Sequence, residues 1–234
     1  MHKLTLLLFL SALTQVPLRA AGPNVDQILQ NYIQAVGGQA AVDRIQTREV
    51  RAGKLTYFWQ KPNKVLLITK KEKIGYDGSG GWVLSKKKHL TRLAKHAQQA
   101  LEIDANPIRY VHLKTLYFEL NAAPSEEVDG VKMDVIVAPN DIGTTKFYFD
   151  HSTHLLTRID ETGETSAYYK QTIEFLDYKE MDGVRLPFRI IHSTTEPGRG
   201  SEDVRISQIR QNIDLKPEIF SKPTEGAVVL GGKR

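Results

Sequence analysis

Short runs of apolar and β-branched residues, separated by turn residues, fill most of the chain between Lys54 and Asn212. Runs of this length are typical of antiparallel strands that follow one another in series. The predicted strands are Lys54–Trp59, Val65–Lys70, Ile74–Tyr76, Trp82–Leu84, Leu116–Leu120, Val131–Ala138, Thr144–Phe149, Leu155–Ile159, Ala167–Tyr178, Val184–Ser193 and Val204–Asn212. A sheet of so many strands must curl, and a curled sheet encloses a cavity. The pattern therefore predicts a strongly curved antiparallel sheet around a cavity.

Two turns within this series have nearly the same sequence, Val128-Asp129-Gly130-Val131 and Met181-Asp182-Gly183-Val184. Asp-Gly between apolar runs favours a tight hairpin, because glycine accepts the positive φ that the turn requires. We interpret the repeat as a shared local turn and not as a duplicated domain.

Apolar residues at helical spacing occur in two places, before the strand series and in the middle of it. Asn24 precedes apolar residues at helical spacing and Gly37-Gly38 ends them, which predicts a capped helix followed by a short helix from Gln39 to Ile45. A central amphipathic helix is predicted from the stripe Leu90, Leu93, Ala94, Ala97 and Leu101. The expected fold is mainly β with helices (α+β), the helices covering the concave side of the sheet.

The first 20 residues have the layout of an exported precursor. Lys3 precedes an apolar run from Leu4 to Leu13, which is shorter than the roughly 20 residues that a membrane-spanning helix needs. We expect a cleaved signal peptide over 1–20, one domain over 21–223 and a flexible tail over 224–234. The mature protein is then soluble outside the cytoplasm. The alternative is an uncleaved membrane anchor.

The sequence offers little catalytic chemistry. It has no cysteine, which excludes disulfides, thiol nucleophiles and a lipidated N-terminal cysteine. It contains no Gly-x-Ser-x-Gly elbow, His-Glu-x-x-His pair or phosphate-binding loop. His151 and His154 lie beside Asp150, but this segment is where a hairpin turn belongs, and turn side chains face water. We therefore expect no enzyme activity, no metal site and no cofactor.

The densest group of basic residues consists of Lys86, Lys87, Lys88, Arg92 and Lys95. One interpretation is a docking face for anionic lipid headgroups or an acidic partner. The other is a solvated helix face. Nucleic acid is not expected as a partner, because the net charge is only +5 and no nucleic-acid motif is present.

Large apolar side chains on the predicted strands can form either the core or the wall of a ligand cavity. The candidate cavity residues are Tyr57, Trp59, Leu67, Trp82, Phe147, Phe149, Phe175 and Phe188. Four positions of the predicted central helix are the candidate lid over that cavity, namely Leu90, Leu93, Ala97 and Leu101.

Six segments occur in the order in which they occur in a known family. They are ILQNYIQAVGGQAA (28–41), GYDGSGGW (75–82), VDGVKMDVIV (128–137), FYFDHSTHLL (147–156), YKEMDGVRLPF (178–188) and IDLKPEIFSKP (213–223). On these segments the chain resembles the outer-membrane lipoprotein-sorting protein family, the LolA/LolB-like periplasmic carriers, as a divergent member.

This resemblance implies an incomplete β-barrel with a helical lid over a hydrophobic cavity. It implies a periplasmic, non-lipidated carrier of lipid or of lipoprotein acyl chains. The implied partners are an inner-membrane donor, an outer-membrane acceptor and, transiently, a membrane surface, with the carrier acting as a monomer. In the better-known carriers an arginine on the early strands helps to control the lid. Arg48 and Arg51 are the nearby arginines here, and neither is assigned that role.

Two other functions stay open at this stage. One is a scaffolding or partner-binding module of the cell envelope, whose cavity is filled by its own side chains. The other is an envelope hydrolase acting on lipid or glycan, for which the sequence offers no nucleophile arrangement.

Overall fold

Two seven-stranded antiparallel sheets make up most of the part of the chain that the structure describes. The structure is a computed structural model that describes residues 23–94, 109–140, 143–163 and 170–224. The first sheet contains β1 (Thr47–Ala52), β2 (Leu55–Gln60), β3 (Lys64–Ile68), β4 (Glu72–Tyr76), β5 (Gly81–Ser85), β6 (Leu90–Arg92) and β14 (Gln208–Gln211). The second contains β7 (Asn121–Val128), β8 (Val131–Asn140), β9 (Gly143–Asp150), β10 (Leu156–Gly163), β11 (Lys170–Met181), β12 (Val184–Thr194) and β13 (Glu202–Arg205).

The strand orders are β14-β1-β2-β3-β4-β5-β6 and β13-β12-β11-β10-β9-β8-β7. The chain passes from one sheet to the other between β13 and β14. There the Ile206 amide donates to the Phe188 carbonyl of β12 at 2.8 Å, and the Ser207 amide donates to the Arg51 carbonyl of β1 at 2.8 Å. The two sheets are therefore joined along one edge by a continuous hydrogen-bonded segment.

The helices follow local sequence signals. Helix α1 (Val25–Ala35) begins where predicted, and the Asn24 side chain accepts a hydrogen bond from the Gln27 amide at 2.9 Å. Helix α2 (Gln39–Arg44) comes next. A 3₁₀ helix (Arg109–His112) runs into the short helix α3 (Leu113–Leu116), and a second 3₁₀ helix (Pro217–Phe220) lies near the C-terminus.

Both Asp-Gly turns are confirmed as tight hairpins. Asp129 and Gly130 have φ of 51° and 78°, and Asp182 and Gly183 have 52° and 79°. The second hairpin also holds the end of α1, because the Arg185 amide donates to the Val36 carbonyl at 2.9 Å. A Cβ at Gly37 would lie 2.0 Å from the Gly183 carbonyl oxygen, so only glycine fits this contact.

Side chains on the two faces of the first sheet belong to different clusters. Trp59 and Val65 point inward and pack with α1, α2 and the second sheet in the main core. Leu66 and Trp82 point outward and pack with Phe220 of the C-terminal 3₁₀ helix. The strand alternation thus builds one core between the sheets and another outside the first sheet.

Three expectations about the secondary structure were wrong. The predicted helix from Leu90 does not begin there, because Leu90 pairs with Leu84 on β5 and lies on an edge strand. The predicted strand Leu116–Leu120 is replaced by α3 and irregular chain, with Leu113 fully buried against the core. The predicted strand Val204–Asn212 is divided into β13 and β14 at the passage between the sheets.

The sequence predicts a single curved sheet, whereas the structure has two antiparallel sheets. The mainly β character with few helices is confirmed. The predicted signal peptide and the tail from residue 225 lie outside the described residues. Among the residues described, no helix has the length and apolar character needed to cross a membrane.

Candidate functional site

A cavity of about 430 Å³ lies between the two sheets, next to the passage from one to the other. We call it the inter-sheet cavity. Its walls come from β1, β2 and β3 on one side and from β12 and the β13–β14 segment on the other. The lining residues are Arg48, Val50, Ala52, Leu55, Tyr57, Leu67, Arg109, Leu186, Pro187, Ile190, His192, Val204, Ile206 and Ile209. Most of them are aliphatic, so the cavity suits an apolar ligand.

A second cavity, of about 200 Å³, adjoins the first on the side of α1. We call it the tyrosine cavity, since Tyr32, Tyr110 and Tyr178 line it. The two cavities share the residues Arg109, Leu186, Pro187, Ile190 and His192. The shared wall makes them neighbouring compartments of one apolar region.

Burial favours the neutral form of two of the tyrosines in this cavity. Burial raises the pKa of Tyr32 and of Tyr178 above the ordinary value. The Tyr178 hydroxyl also donates to the Leu156 carbonyl at 2.6 Å. These side chains therefore add hydrogen-bonding groups to the cavity wall without adding charge.

Aromatic contacts fix the walls of the tyrosine cavity against the second sheet. The Tyr32 ring meets Phe149 at a centroid distance of 5.3 Å, and the Tyr110 ring meets Phe175 at 5.5 Å, both edge to face. Edge-to-face pairs add to the energy of burial. These contacts hold the 3₁₀ helix and α1 against the second sheet.

Arg48 is the most unusual residue of the inter-sheet cavity. It is only 2% exposed, and its Nη2 donates to Gln211 Oε1 at 2.7 Å. Its Nε donor is buried without an acceptor among the described residues. Burial lowers the pKa of the Arg48 guanidinium to about 10, against a smaller opposing effect of Tyr57. The group is still charged at neutral pH, and its hydrogen-bonded partner is neutral.

The described walls of both cavities carry basic residues and no aspartate or glutamate. Arg48 lines the inter-sheet cavity, Arg185 lines the tyrosine cavity, and Arg109 lines both. The Arg109 guanidinium lies 4.7 Å from the centroid of the Tyr110 ring. The charged side chains in the described lining of this apolar region are therefore all basic.

The predicted cavity residues fall into three groups. Tyr57 and Leu67 line the inter-sheet cavity, and Phe175 lines the tyrosine cavity. Trp59, Phe147 and Phe149 lie in the main core and Phe188 at its margin, with the Lys179 ammonium 4.6 Å from the Phe188 ring centroid. Trp82 lies on the opposite face of the first sheet, where its indole nitrogen donates to the Phe220 carbonyl at 3.0 Å.

The predicted lid residues do not form a unit in the described chain. Leu90 packs with the outward cluster around Trp82, away from the inter-sheet cavity, because its pairing with Leu84 directs it there. Leu93 follows β6, and its amide donates to the Gly81 carbonyl at 3.0 Å. Ala97 and Leu101 lie outside the described residues.

The basic run forms a turn at one end of the first sheet instead of a helix face. Lys86, Lys87 and Lys88 lie between β5 and β6, and the Lys86 amide donates to the Lys71 carbonyl of the β3–β4 turn at 2.8 Å. The neighbouring Lys54 of the β1–β2 turn lowers the pKa of Lys70, so these two lysines also lie close together.

We call this group of turns the lysine end; it contains Lys54, Lys70, Lys71, Lys86, Lys87 and Lys88. Arg92 is exposed on β6, and Lys95 lies outside the described residues. Ala52 and Leu55, which flank the β1–β2 turn, also line the inter-sheet cavity. The cavity wall therefore reaches the lysine end.

The segment around His151 forms the predicted hairpin turn between β9 and β10. The Asp150 carboxylate accepts hydrogen bonds from the Ser152 and Thr153 amides at 2.8 and 2.7 Å, and His151 Nδ1 lies 3.0 Å from Asp134. Within residues 23–94, 109–140, 143–163 and 170–224, no three metal-ligating side chains come together.

Sequence reasoning missed several lining residues, chiefly Arg109, Leu186, Ile190 and Ile206. The alternation Leu186, Phe188, Ile190 was visible on a correctly predicted strand, but which face is inward depends on the passage between the sheets. Arg48 was noted only for its position in the chain, since nothing local indicates that it is buried.

Comparison with known proteins identifies the fold. No protein-family model matches the sequence, and no curated protein matches it. A crystal structure of a LolA-superfamily protein from Nitrosomonas europaea matches with a TM-score of 0.58 and 13% identity, over 86% of this chain and 98% of that one.

Two further solved structures give the same result. A DUF1329-family protein from Desulfovibrio piger matches with a TM-score of 0.59 and 14% identity, over 84% of this chain and 97% of that one. An outer membrane lipoprotein-sorting protein domain from Vibrio parahaemolyticus matches with a TM-score of 0.54 and 15% identity, over 83% and 96%. At these identities the likeness concerns the fold, and the chain has a LolA-like fold.

Proposed function

We propose that this protein is a periplasmic carrier that binds the acyl chain of a lipid or lipoprotein between its two sheets and delivers it toward the outer membrane. The observation that carries the proposal is the inter-sheet cavity, a largely aliphatic space of about 430 Å³ in a LolA-like fold. This volume lies in the range of small-molecule sites, roughly 300–1,000 Å³.

The lining residues themselves support an exchangeable apolar ligand. Val50, Ile190 and Ile206 line the cavity, yet they are only partly buried. Aliphatic side chains left partly open to solvent in a concave site gain free energy when a ligand covers them. An acyl chain gains about 0.8 kcal/mol per methylene transferred from water, so no catalytic group is needed to retain it.

Release of the acyl chain requires a competing binding site, because nothing in the carrier itself removes the free energy gained when the ligand binds. We propose an inner-membrane donor and an outer-membrane acceptor as the two sites of exchange. The carrier acts as a monomer and without catalysis in this scheme.

The lysine end supplies the membrane contact in this proposal. Lysines near an anionic membrane surface contribute about 1 kcal/mol each. Replacing Lys86, Lys87 and Lys88 with glutamine should weaken association with anionic vesicles at least tenfold, measured by co-sedimentation. A triple glutamine variant of the exposed Lys132, Lys179 and Lys216 is the control. Equal weakening in both variants would contradict a specific docking end.

Acyl binding is tested by filling the cavity. Ile190 lines both cavities, whereas its neighbour Ile191 lines neither. Ile190→Trp should exclude about two methylenes of ligand and so weaken binding of a fluorescent acyl probe about tenfold. Ile191→Trp, the matched control, should bind as the wild type does.

The main alternative is a scaffolding module whose surface binds an envelope partner. It predicts that the folded protein takes up no acyl probe at any concentration below micelle formation. That result would replace the carrier proposal with the scaffolding one.

A further inference from the structure

Two neighbouring residues on the inward face of the first sheet each carry a buried hydrogen-bond donor that has no acceptor among the described residues. The donors are Arg48 Nε and Trp59 Nε1. The two residues are direct cross-strand partners on β1 and β2. Directly opposed residues of an antiparallel pair project from the same face with their Cβ atoms about 5 Å apart. Neighbouring residues of one face thus share the same unmet requirement for an acceptor.

An unmet donor in a protein interior costs free energy, and an unpaired charge costs more. Arg48 is 2% exposed and Trp59 is 1% exposed, so bulk water hardly reaches either side chain. Gln211, the cross-strand partner of Arg48 on its other side, accepts one hydrogen bond from Nη2 but is neutral. Within the described chain no carboxylate pairs with Arg48, which distinguishes it from the paired arginines of the surface.

We propose that Arg48, which lines the inter-sheet cavity, binds the carboxylate of a single-chain amphiphile, such as a fatty acid, whose chain lies in that cavity, and that the indole of Trp59, its core neighbour on β2, donates to the same carboxylate. This inference rests on the proposed function and adds the class of head group. A carboxylate supplies two acceptor oxygens and the missing negative charge, and charge-assisted hydrogen bonds are the strongest of their kind. A neutral lipid has oxygen acceptors but does not supply the negative charge.

The cavity wall also indicates the direction in which the bound acyl chain runs. Val50 and Ala52 follow Arg48 on the same face of β1 and line the same cavity. With a rise of roughly 3.3 Å per residue, this row extends about 13 Å from Arg48 toward the lysine end. The head group is therefore held at Arg48, and the acyl chain runs along β1 over apolar residues.

The test compares dodecanoate with dodecanol, which share a chain and differ in the head group. Wild-type protein should bind dodecanoate about tenfold more tightly, as measured by displacement of a fluorescent acyl probe. Arg48→Met should abolish this preference while retaining dodecanol binding. Arg205→Gln is the matched control, because Arg205 lies one residue from the lining residues Val204 and Ile206 but is exposed and pairs with Asp203.

The two tryptophans of the chain give a readout specific to the site. The Trp82 indole already donates to the Phe220 carbonyl, whereas the Trp59 indole has no acceptor among the described residues. In a nitrogen–proton NMR spectrum, dodecanoate should move the Trp59 indole signal downfield and leave the Trp82 signal in place. Trp59→Phe assigns the signal, and Arg48→Lys should restore part of the preference that Arg48→Met loses.

The outcomes separate this inference from the carrier proposal. If wild type binds both ligands equally and the Trp59 signal does not move with dodecanoate, the head-group site is refuted while acyl binding stands. If neither ligand binds, the carrier proposal itself fails. If inorganic phosphate alone displaces dodecanoate and moves the Trp59 signal, the site binds free anions, and the lipid head-group assignment is overturned.

Discussion

Arg48 and Glu49 are consecutive residues of β1, and both are almost fully buried. They differ in whether their charges have charged partners. Glu49 faces outward and is 1% exposed, with Arg51 and Arg210 both bonded to its carboxylate. Arg48 faces the inter-sheet cavity and has no charged partner in the described chain. One strand thus carries a satisfied charge on one face and an unsatisfied charge on the other.

The difference extends to the whole sheet. On the outward face Trp82 packs with Phe220 of the C-terminal segment and fits against Gly75, at which a Cβ would lie 2.2 Å from the indole ring. A cavity of about 500 Å³ between this face and the C-terminal segment is lined by Leu66, Trp82 and Ile219 among others. The inward face borders two adjoining cavities. Both faces border cavities, and the inward face differs in that its cavity is lined by buried Arg48, which has no charged partner among the described residues.

The largest effect is expected at Trp82. Trp82→Ala should lower the free energy of unfolding by about 4 kcal/mol, because it removes a buried indole and its hydrogen bond to the Phe220 carbonyl. Urea unfolding measures the change. The variant should keep its affinity for an acyl probe once folded. A large loss of affinity in folded Trp82→Ala would mean that the outward face also contributes to acyl binding.

The second effect concerns Glu49. Glu49→Gln should lower the free energy of unfolding at pH 7 by about 3 kcal/mol, because it removes a buried carboxylate that two arginines pair with. Glu180→Gln, at an exposed site, is the control and should change little.

The same variant has a definite pH dependence. Burial alone raises the pKa of Glu49, but the hydrogen bonds and charges of Arg210 and Arg51 outweigh it and hold the pKa below the ordinary value. The carboxylate therefore stabilises the fold above the unfolded-state pKa of about 4.3, and this stability is lost as the pH falls through the folded-state pKa. The deficit of Glu49→Gln should shrink in acid. A deficit independent of pH would mean that the ion pairs do not contribute.

The smallest effect has the opposite sign. Arg48→Met should raise the free energy of unfolding of the ligand-free protein by about 1–2 kcal/mol, since it removes a buried charge without a counter-charge. Loss of the hydrogen bond to Gln211 offsets part of this gain in the free energy of unfolding. Thermal unfolding of delipidated protein measures it. Marked destabilisation instead would identify Arg48 as a structural residue like Glu49.

The sequence predicts the features that depend on neighbouring residues. Asn24 as a helix cap and the two Asp-Gly hairpins follow from local chemistry, and all three are confirmed. Strand β1 was missed because Arg48, Glu49 and Arg51 resemble a solvated loop. These residues are compatible with a buried strand only because β14, about 160 positions later in the chain, supplies Arg210 and Gln211.

Leu90 illustrates the opposite error. Its apolar spacing with Leu93 and Leu101 is helical, yet strand pairing with β5 determines its conformation. The candidate site depends on long-range pairing in the same way, because the passage at Ile206 decides which strand faces enclose the cavity. Tyr57 and Leu67 could be predicted as lining candidates from their strands, whereas the juxtaposition of Arg48 with Trp59 required the register of β1 and β2.

The most direct test of the account is native mass spectrometry of the mature protein isolated from its own cell envelope, followed by lipid analysis after denaturation. A carrier should hold one acyl lipid per protein chain, which is released on denaturation and replaced when the stripped protein is mixed with fatty acid. A protein that is ligand-free when isolated and takes up no added fatty acid, phospholipid or acylated peptide would contradict the claim that it is an acyl carrier.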